Sequence, residues 1–140
     1  MPADLGRRTH ALLRIAAGIL FIQHGLQKLF GYFGGSTVPL TSLLGVAGLL
    51  EFTGGLFLIV GLFTRPVAFL LVLEMISAYF IAHMSRGGWP IQNQGELALL
   101  YAAIFTFLAA NGAGPLSIDE ALPRSSERRQ VKDRRHPMAA

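Results

Sequence analysis

Apolar residues along this chain come in long runs rather than in narrow stripes. Four stretches carry them: Thr9 to Tyr32 (THALLRIAAGILFIQHGLQKLFGY), Leu43 to Phe63 (LLGVAGLLEFTGGLFLIVGLF), Pro66 to Met84 (PVAFLLVLEMISAYFIAHM), and Gly95 to Gly112 (GELALLYAAIFTFLAANG). Each approaches the about 20 residues that a helix needs to cross a bilayer. Helix breakers separate them: Gly34, Gly35 and Pro39, then Thr64-Arg65-Pro66, then Gly87, Gly88 and Pro90, with Gly112, Gly114 and Pro115 closing the last. Connections this short make neighbouring helices antiparallel. The pattern predicts an all-α integral membrane protein, an up-down four-helix bundle with spans over about 9–32, 43–63, 66–84 and 95–112. The pairs Gly18/Gly25 and Gly48/Gly55 lie seven residues apart, on nearly one helix face, and predict close helix contacts.

Composition sharpens this picture. The chain has 140 residues, of which 52% are hydrophobic and 14% charged, against roughly 25% charged in soluble domains. Between Ala11 and Ile118 the only charged residues are Arg14, Lys28, Glu51, Arg65, Glu74, Arg86 and Glu96. A small soluble domain cannot cover its surface with so few. Cysteine is absent, which excludes disulfides, thiol nucleophiles and cysteine-ligated metals. The net charge of +4 belongs to residues 123–140, where six Lys/Arg face Glu127 and Asp133; the remainder balances. The chain thus divides into an N-terminal segment (1–8), a membrane domain (9–119) and a basic tail (120–140) too polar to build a core. The tail's expected partner is the anionic lipid surface, not nucleic acid. Arg7 and Arg8 followed by an apolar run imitate a signal peptide, but Arg14 interrupts that run, so the segment is expected to stay as the first span. For a bacterial-style inner membrane, Arg7, Arg8, Arg65 and the tail are expected to hold both termini in the cytoplasm.

Charges inside a span are costly and mark functional or paired positions. Counting helical rise puts His24 roughly 12 Å below the outer end of the first span. Glu51, entering from that same side in the second span, falls at a similar depth. Lys28 is one turn above His24 on the same face, with Gln27 beside it. Glu96 and His83 sit near the outer edge, where Glu96 is positioned to hold Lys28 charged. This clustering predicts an outward-facing polar pocket with His24 and Glu51 as its catalytic residues and Gln27, Lys28, Glu96 and His83 as substrate-binding ones. Arg14 and Glu74, assigned to the inner half, are expected to form a structural pair. No metal site is expected: the residues show no HExxH-type spacing, and His83 lies too near the surface to share a level haem site with His24.

The runs HGLQKLFG (His24–Gly31), GLLEFTGGLFLIVGLFTR (Gly48–Arg65) and GELALLYAAIFTFLAANGAGPLSID (Gly95–Asp119), in this order and spacing, resemble the DoxX family over about residues 9–119. The resemblance implies a four-helix bacterial inner-membrane protein. The family takes its name from a subunit of a thiosulfate:quinone oxidoreductase, and other members are associated with redox stress and quinone-like or aromatic compounds. Its characteristic polar positions would be Arg14, His24, Lys28, Glu51 and Glu96. Without cysteine, a persulfide carried on this chain is excluded. Two function classes stay open. One is a subunit of a quinone-linked membrane redox system, with quinone as the ligand and a soluble or membrane partner supplying electrons. The other is a non-enzymatic scaffold or assembly factor, its buried charges serving as helix pairs. A homodimer is compatible with both, and a small transporter would require one.

Overall fold

The computed structural model describes residues 3–122. The expected basic tail lies outside the described residues from Pro123 onward. The described chain is all-helical: α1 (Ala3–Phe30), α2 (Leu43–Val60), α3 (Thr64–Ala78), α4 (Pro90–Asn93), α5 (Glu96–Asn111) and α6 (Ile118–Ala121). Two segments, Leu43–Val60 and Thr64–Arg86, are long and apolar enough to cross a membrane, and the shorter α5 is also apolar. Only 33% and 17% of the residues in those two windows are buried, which separates them from core helices of a soluble protein.

Local signals account for the boundaries. Helix α1 starts earlier than the apolar run, because residues 3–8 are helical too, and stops at Gly31, whose left-handed φ of 72° ends it. Ser42 caps α2 by accepting from Gly45 N–H at 3.0 Å. Gly61 ends it with φ 67°, while Leu62 N–H reaches back to the Phe57 carbonyl at 3.0 Å. The cap of α3 comes from far along the chain: Asp119 accepts the Phe63 and Thr64 N–H groups, both at 2.8 Å. Beyond Ala78, α3 widens into a π turn over Tyr79–His83, with Met84 N–H bonded to the Tyr79 carbonyl.

The long helices alternate in direction. One end of the molecule, here called the terminal end, holds the start of α1, the α2–α3 turn and α6. The distal end holds the α1–α2 connection, the π turn and α4. Helix α1 packs along α2, α3 along α5, and α2 against α3, whereas α1 and α5 touch sparsely. The α1–α2 approach rests on glycine. A Cβ at Gly18 would come 2.8 Å from the Gly55 carbonyl oxygen, and one at Gly25 would come 2.7 Å from that of Gly48, so the two sequence-spaced pairs interlock antiparallel. Between α2 and α3, a Cβ at Gly54 would lie 2.9 Å from Leu71. The core joins Phe21, Leu58, Leu71, Met75, Tyr101, Phe105 and Leu108. Outside, large apolar side chains such as Leu12, Leu20, Leu49, Leu56, Phe69, Leu70 and Leu100 are exposed, while Arg14 and Glu51 are 0% and 3% exposed. Polarity is turned inward.

The expected pair between Arg14 and Glu74 does not form. Arg14 donates from Nε to the Ala113 carbonyl (2.8 Å), from Nη1 to Leu58 and Ile59, and from Nη2 to Pro115 (3.3 Å) and Leu116 (2.8 Å). Its five N–H groups thus meet five carbonyls. Two of those belong to the last turn of α2, where carbonyls lack helical partners and a cation is favoured. Glu74 lies elsewhere. Leu71 faces Gly54, and one helical turn toward the distal end from each leads to Glu74 and Glu51, which therefore stand at one level.

Candidate functional site

The distal half contains a cavity of about 210 Å³ lined by His24 and Lys28 of α1, Glu51 of α2, Met75 and Ala78 of α3, His83 of the π turn, and Tyr101 of α5, together with Phe21, Gln94, Leu97 and Ala98. Lys28 Nζ is ion-paired with Glu51 Oε1. The ion pair spans the glycine contact between α1 and α2, since a Cβ at Gly48 would come 2.9 Å from Lys28 Cβ. Glu51 Oε2 is buried and without a hydrogen-bond partner. The carboxylate thus has one oxygen engaged and one available.

His24 is half-buried beside aromatic walls: its ring centroid lies 6.1 Å from that of Tyr101, edge to face, and 6.4 Å from that of Phe21. His83 Nδ1 lies 3.0 Å from the Asn93 carbonyl. A carbonyl only accepts, so Nδ1 carries the hydrogen and Nε2 is the second ring nitrogen left for other contacts. Asn93 is itself locked, donating to the Gly87 carbonyl at 2.9 Å and accepting Gly95 N–H at 2.8 Å. The π turn and the short α4 thereby hold His83 at the cavity wall.

Other expected residues sit differently. Gln27 lines a neighbouring cavity of about 340 Å³ with Leu20, Gln23, His24, Phe33, Leu97 and Tyr101. His24, Leu97 and Tyr101 border both spaces. Glu96 is exposed in the first turn of α5 and lines neither cavity; a carboxylate there suits the positive end of the helix. The cation Lys28 takes Glu51 as its carboxylate, not Glu96. An apolar groove of about 150 Å³ continues along the α1–α5 seam between Leu13, Ala16, Ala17, Leu20, Leu100 and Ile104. Among the described residues there is no group of three or more His, Cys, Asp or Glu placed to hold a metal.

Of two further residues in this region, one was not singled out by sequence and the other was placed at the wrong end. Tyr101 borders all three spaces; its signal is a phenol inside an otherwise apolar helix, where a buried hydroxyl needs a polar neighbour. Glu74 was assigned to the other end, although Glu51 and Glu74 are equally distant in sequence from the Leu62–Phe63 turn, a symmetry that sets them level in antiparallel helices.

The family model for DoxX matches residues 9–84. A Haemophilus influenzae protein of uncharacterized role is 42% identical over 78% of this chain and 87% of its own length. A Bacillus subtilis protein provisionally named oxidoreductase CatD is 31% identical over 77% of this chain and 82% of its own length. The Escherichia coli inner membrane protein YqjF is 34% identical over 78% and 88%. No solved structure matches the chain significantly.

Proposed function

This chain belongs to the DoxX family, and on that premise we propose that it is a multi-pass bacterial inner-membrane protein whose distal pocket binds a quinone headgroup within a membrane redox system. The membrane reading is supported by the apolar exterior and inward charges, which water would penalise and lipid would not. Helix α1 and the shorter α5 complete four crossings, α1 burying Arg14 and pairing Lys28 with Glu51. Phe30, Tyr32, Phe33 and Trp89 are exposed together at the distal end, as an interfacial aromatic belt would be. Arg7, Arg8 and Arg65 mark the terminal end as cytoplasmic, so the pocket opens toward the periplasmic side. The inner-membrane name of the Escherichia coli relative agrees with this location.

The observation that carries the redox reading is the convergence of His24, Lys28 and the half-satisfied Glu51 in one cavity walled by Phe21 and Tyr101. A quinone headgroup is a flat apolar ring with two acceptor carbonyls. Lys28 donates, His24 has a ring nitrogen to donate or accept, and Glu51 Oε2 receives or passes on a proton. The aromatic walls contact the ring faces or edges. The cavity is small for a whole lipophilic molecule, compared with pockets of about 300–1,000 Å³, but it adjoins the second cavity and the apolar seam. The chain shows no electron-carrier motif, so electrons come from a partner subunit or soluble donor. The oxidoreductase name of the Bacillus subtilis relative points in the same direction.

Protein purified in detergent from its own host tests this directly, with bound lipophilic molecules extracted for mass spectrometry and binding of a short-chain quinone titrated. His24→Ala and Glu51→Gln should each weaken binding about tenfold, or about 1.4 kcal/mol, in protein that remains folded, although Glu51→Gln also loses the stability of its pair with Lys28. Wild-type affinity in both variants would defeat the reading. The non-enzymatic scaffold is favoured by one observation, that the Lys28–Glu51 pair joins α1 to α2 beside their glycine contact. It predicts lower stability or lower recovery of a partner in these variants, with no small-molecule binding to lose.

A further inference from the structure

Glu74 has no part in the pocket as described, yet both of its carboxyl oxygens are buried and without a hydrogen-bond partner. It stands level with Glu51, across the Gly54–Leu71 contact of α2 and α3. Its neighbours in sequence, Met75 and, one turn on, Ala78, form the pocket wall. Glu51, 3% exposed, lines the pocket and has a free Oε2.

We propose that Glu74 and Glu51 form a buried two-carboxyl site that holds one proton behind the pocket. The argument is a count of charges and acceptors. The ionisable groups facing this site are Lys28 and His24 from α1, Glu51 from α2, Glu74 from α3, His83 from the π turn and Tyr101 from α5. Lys28 supplies one positive charge and gives it to Glu51 Oε1. A second ionised carboxylate would then be uncompensated in a medium that solvates charge poorly, where such groups neutralise instead. One proton, taken from water through the pocket, converts one carboxylate to a carboxyl group and supplies the donor that three orphaned oxygens lack. Two carboxyl groups that share a proton are an established solution to like charge at close quarters. Glu51 touches the pocket and Glu74 stands behind it, so the stored proton is available to a ligand there. That consequence rests on the ligand-binding reading, whereas the proton site itself does not.

Infrared spectra of the protein in lipid nanodiscs, recorded at neutral pH without added quinone, test the site. The wild type should show a protonated-carboxyl C=O band that shifts in heavy water. Glu74→Gln should abolish it, leaving the Lys28–Glu51 ion pair intact, and Glu51→Gln should abolish it too, because Glu74 then inherits Lys28. Lys28→Met should instead add a second protonated carboxyl. Absence of the band in the wild type, or its full retention in Glu74→Gln, overturns the proposal. The wild-type spectrum decides even if a variant fails to fold. Failure to bind quinone leaves this result standing, and a missing band leaves quinone binding untouched.

Discussion

Arg14 shows how one buried side chain is explained by its acceptors rather than by an opposite charge. Its fork closes the last turn of α2 and the 113–116 segment at once, with no carboxylate in hydrogen-bonding contact. Arg14→Met should lower stability by about 3 kcal/mol or more, since each buried carbonyl left alone costs about 1–3 kcal/mol. Arg14→Lys should fall between Met and wild type, because an ammonium has three donors where five acceptors wait. Thermal unfolding in detergent gives the order, and a Met variant as stable as wild type would contradict the account. Sequence placed this residue in the first helix and at the terminal end, where the structure has it. It could not show that the partners are backbone carbonyls 44 to 102 positions away, because carbonyls leave no mark in a sequence. Glu74 is the reverse case: its level was available from distance to the turn, and pairing by opposite charge concealed it. His24, Lys28, Glu51 and His83 were gathered by depth alone, and they do line one cavity.

Elements meet here through what they lack. Gly25→Ala places a methyl group 2.7 Å from the Gly48 carbonyl oxygen, too close without parting α1 from α2, and such overpacking costs about 1–3 kcal/mol. Gly6→Ala, within the same helix but with nothing within 4 Å, should be neutral or stabilising by up to about 1 kcal/mol through helix propensity. Equal effects of the two substitutions on the unfolding temperature would mean that glycine acts through backbone entropy and not through contact. The glycine spacing was legible, because a seven-residue repeat identifies a helix face without any knowledge of its partner. The cap of α3 was not. Asp119 reaches it from beyond α5 and bonds two N–H groups. Asp119→Asn keeps one acceptor oxygen and should lose part of the stability that Asp119→Ala loses, about 1–2 kcal/mol for the latter. If Asn and Ala behave alike, the charge near the start of α3 matters more than the two bonds. The π turn was likewise invisible, since no residue pattern distinguishes a helix that widens at Tyr79 from one that continues.

At the scale of the molecule, two tight pairings leave one loose seam. Helices α1 and α2 interlock through glycine, α3 and α5 pack along their length, and α1 meets α5 chiefly where Phe21 touches Tyr101 and Phe105, with ring centroids 5.0 and 4.8 Å apart. The seam carries a gradient of polarity, from Gln23, His24 and Gln27 at the distal end to Leu13, Ala16, Ala17 and Ile104 deeper in. Composition foretold an apolar exterior, but helix order was not written in the runs, so this opening could not be read from them. If the pocket takes a lipophilic quinone, its tail must leave the polar cavity, and the seam is an apolar exit toward lipid. Ala16→Leu adds volume at the groove and leaves His24, Lys28 and Glu51 untouched. It should weaken binding of a long-tailed quinone about tenfold, or about 1.4 kcal/mol, and leave a tailless analogue within about twofold. Titration of both ligands against wild type and variant separates the alternatives. Equal loss for both would mean that the substitution disturbs the head site, whereas no loss for either would place the tail elsewhere. Binding of neither ligand to the wild type would instead remove the quinone reading itself and leave the seam to lipid.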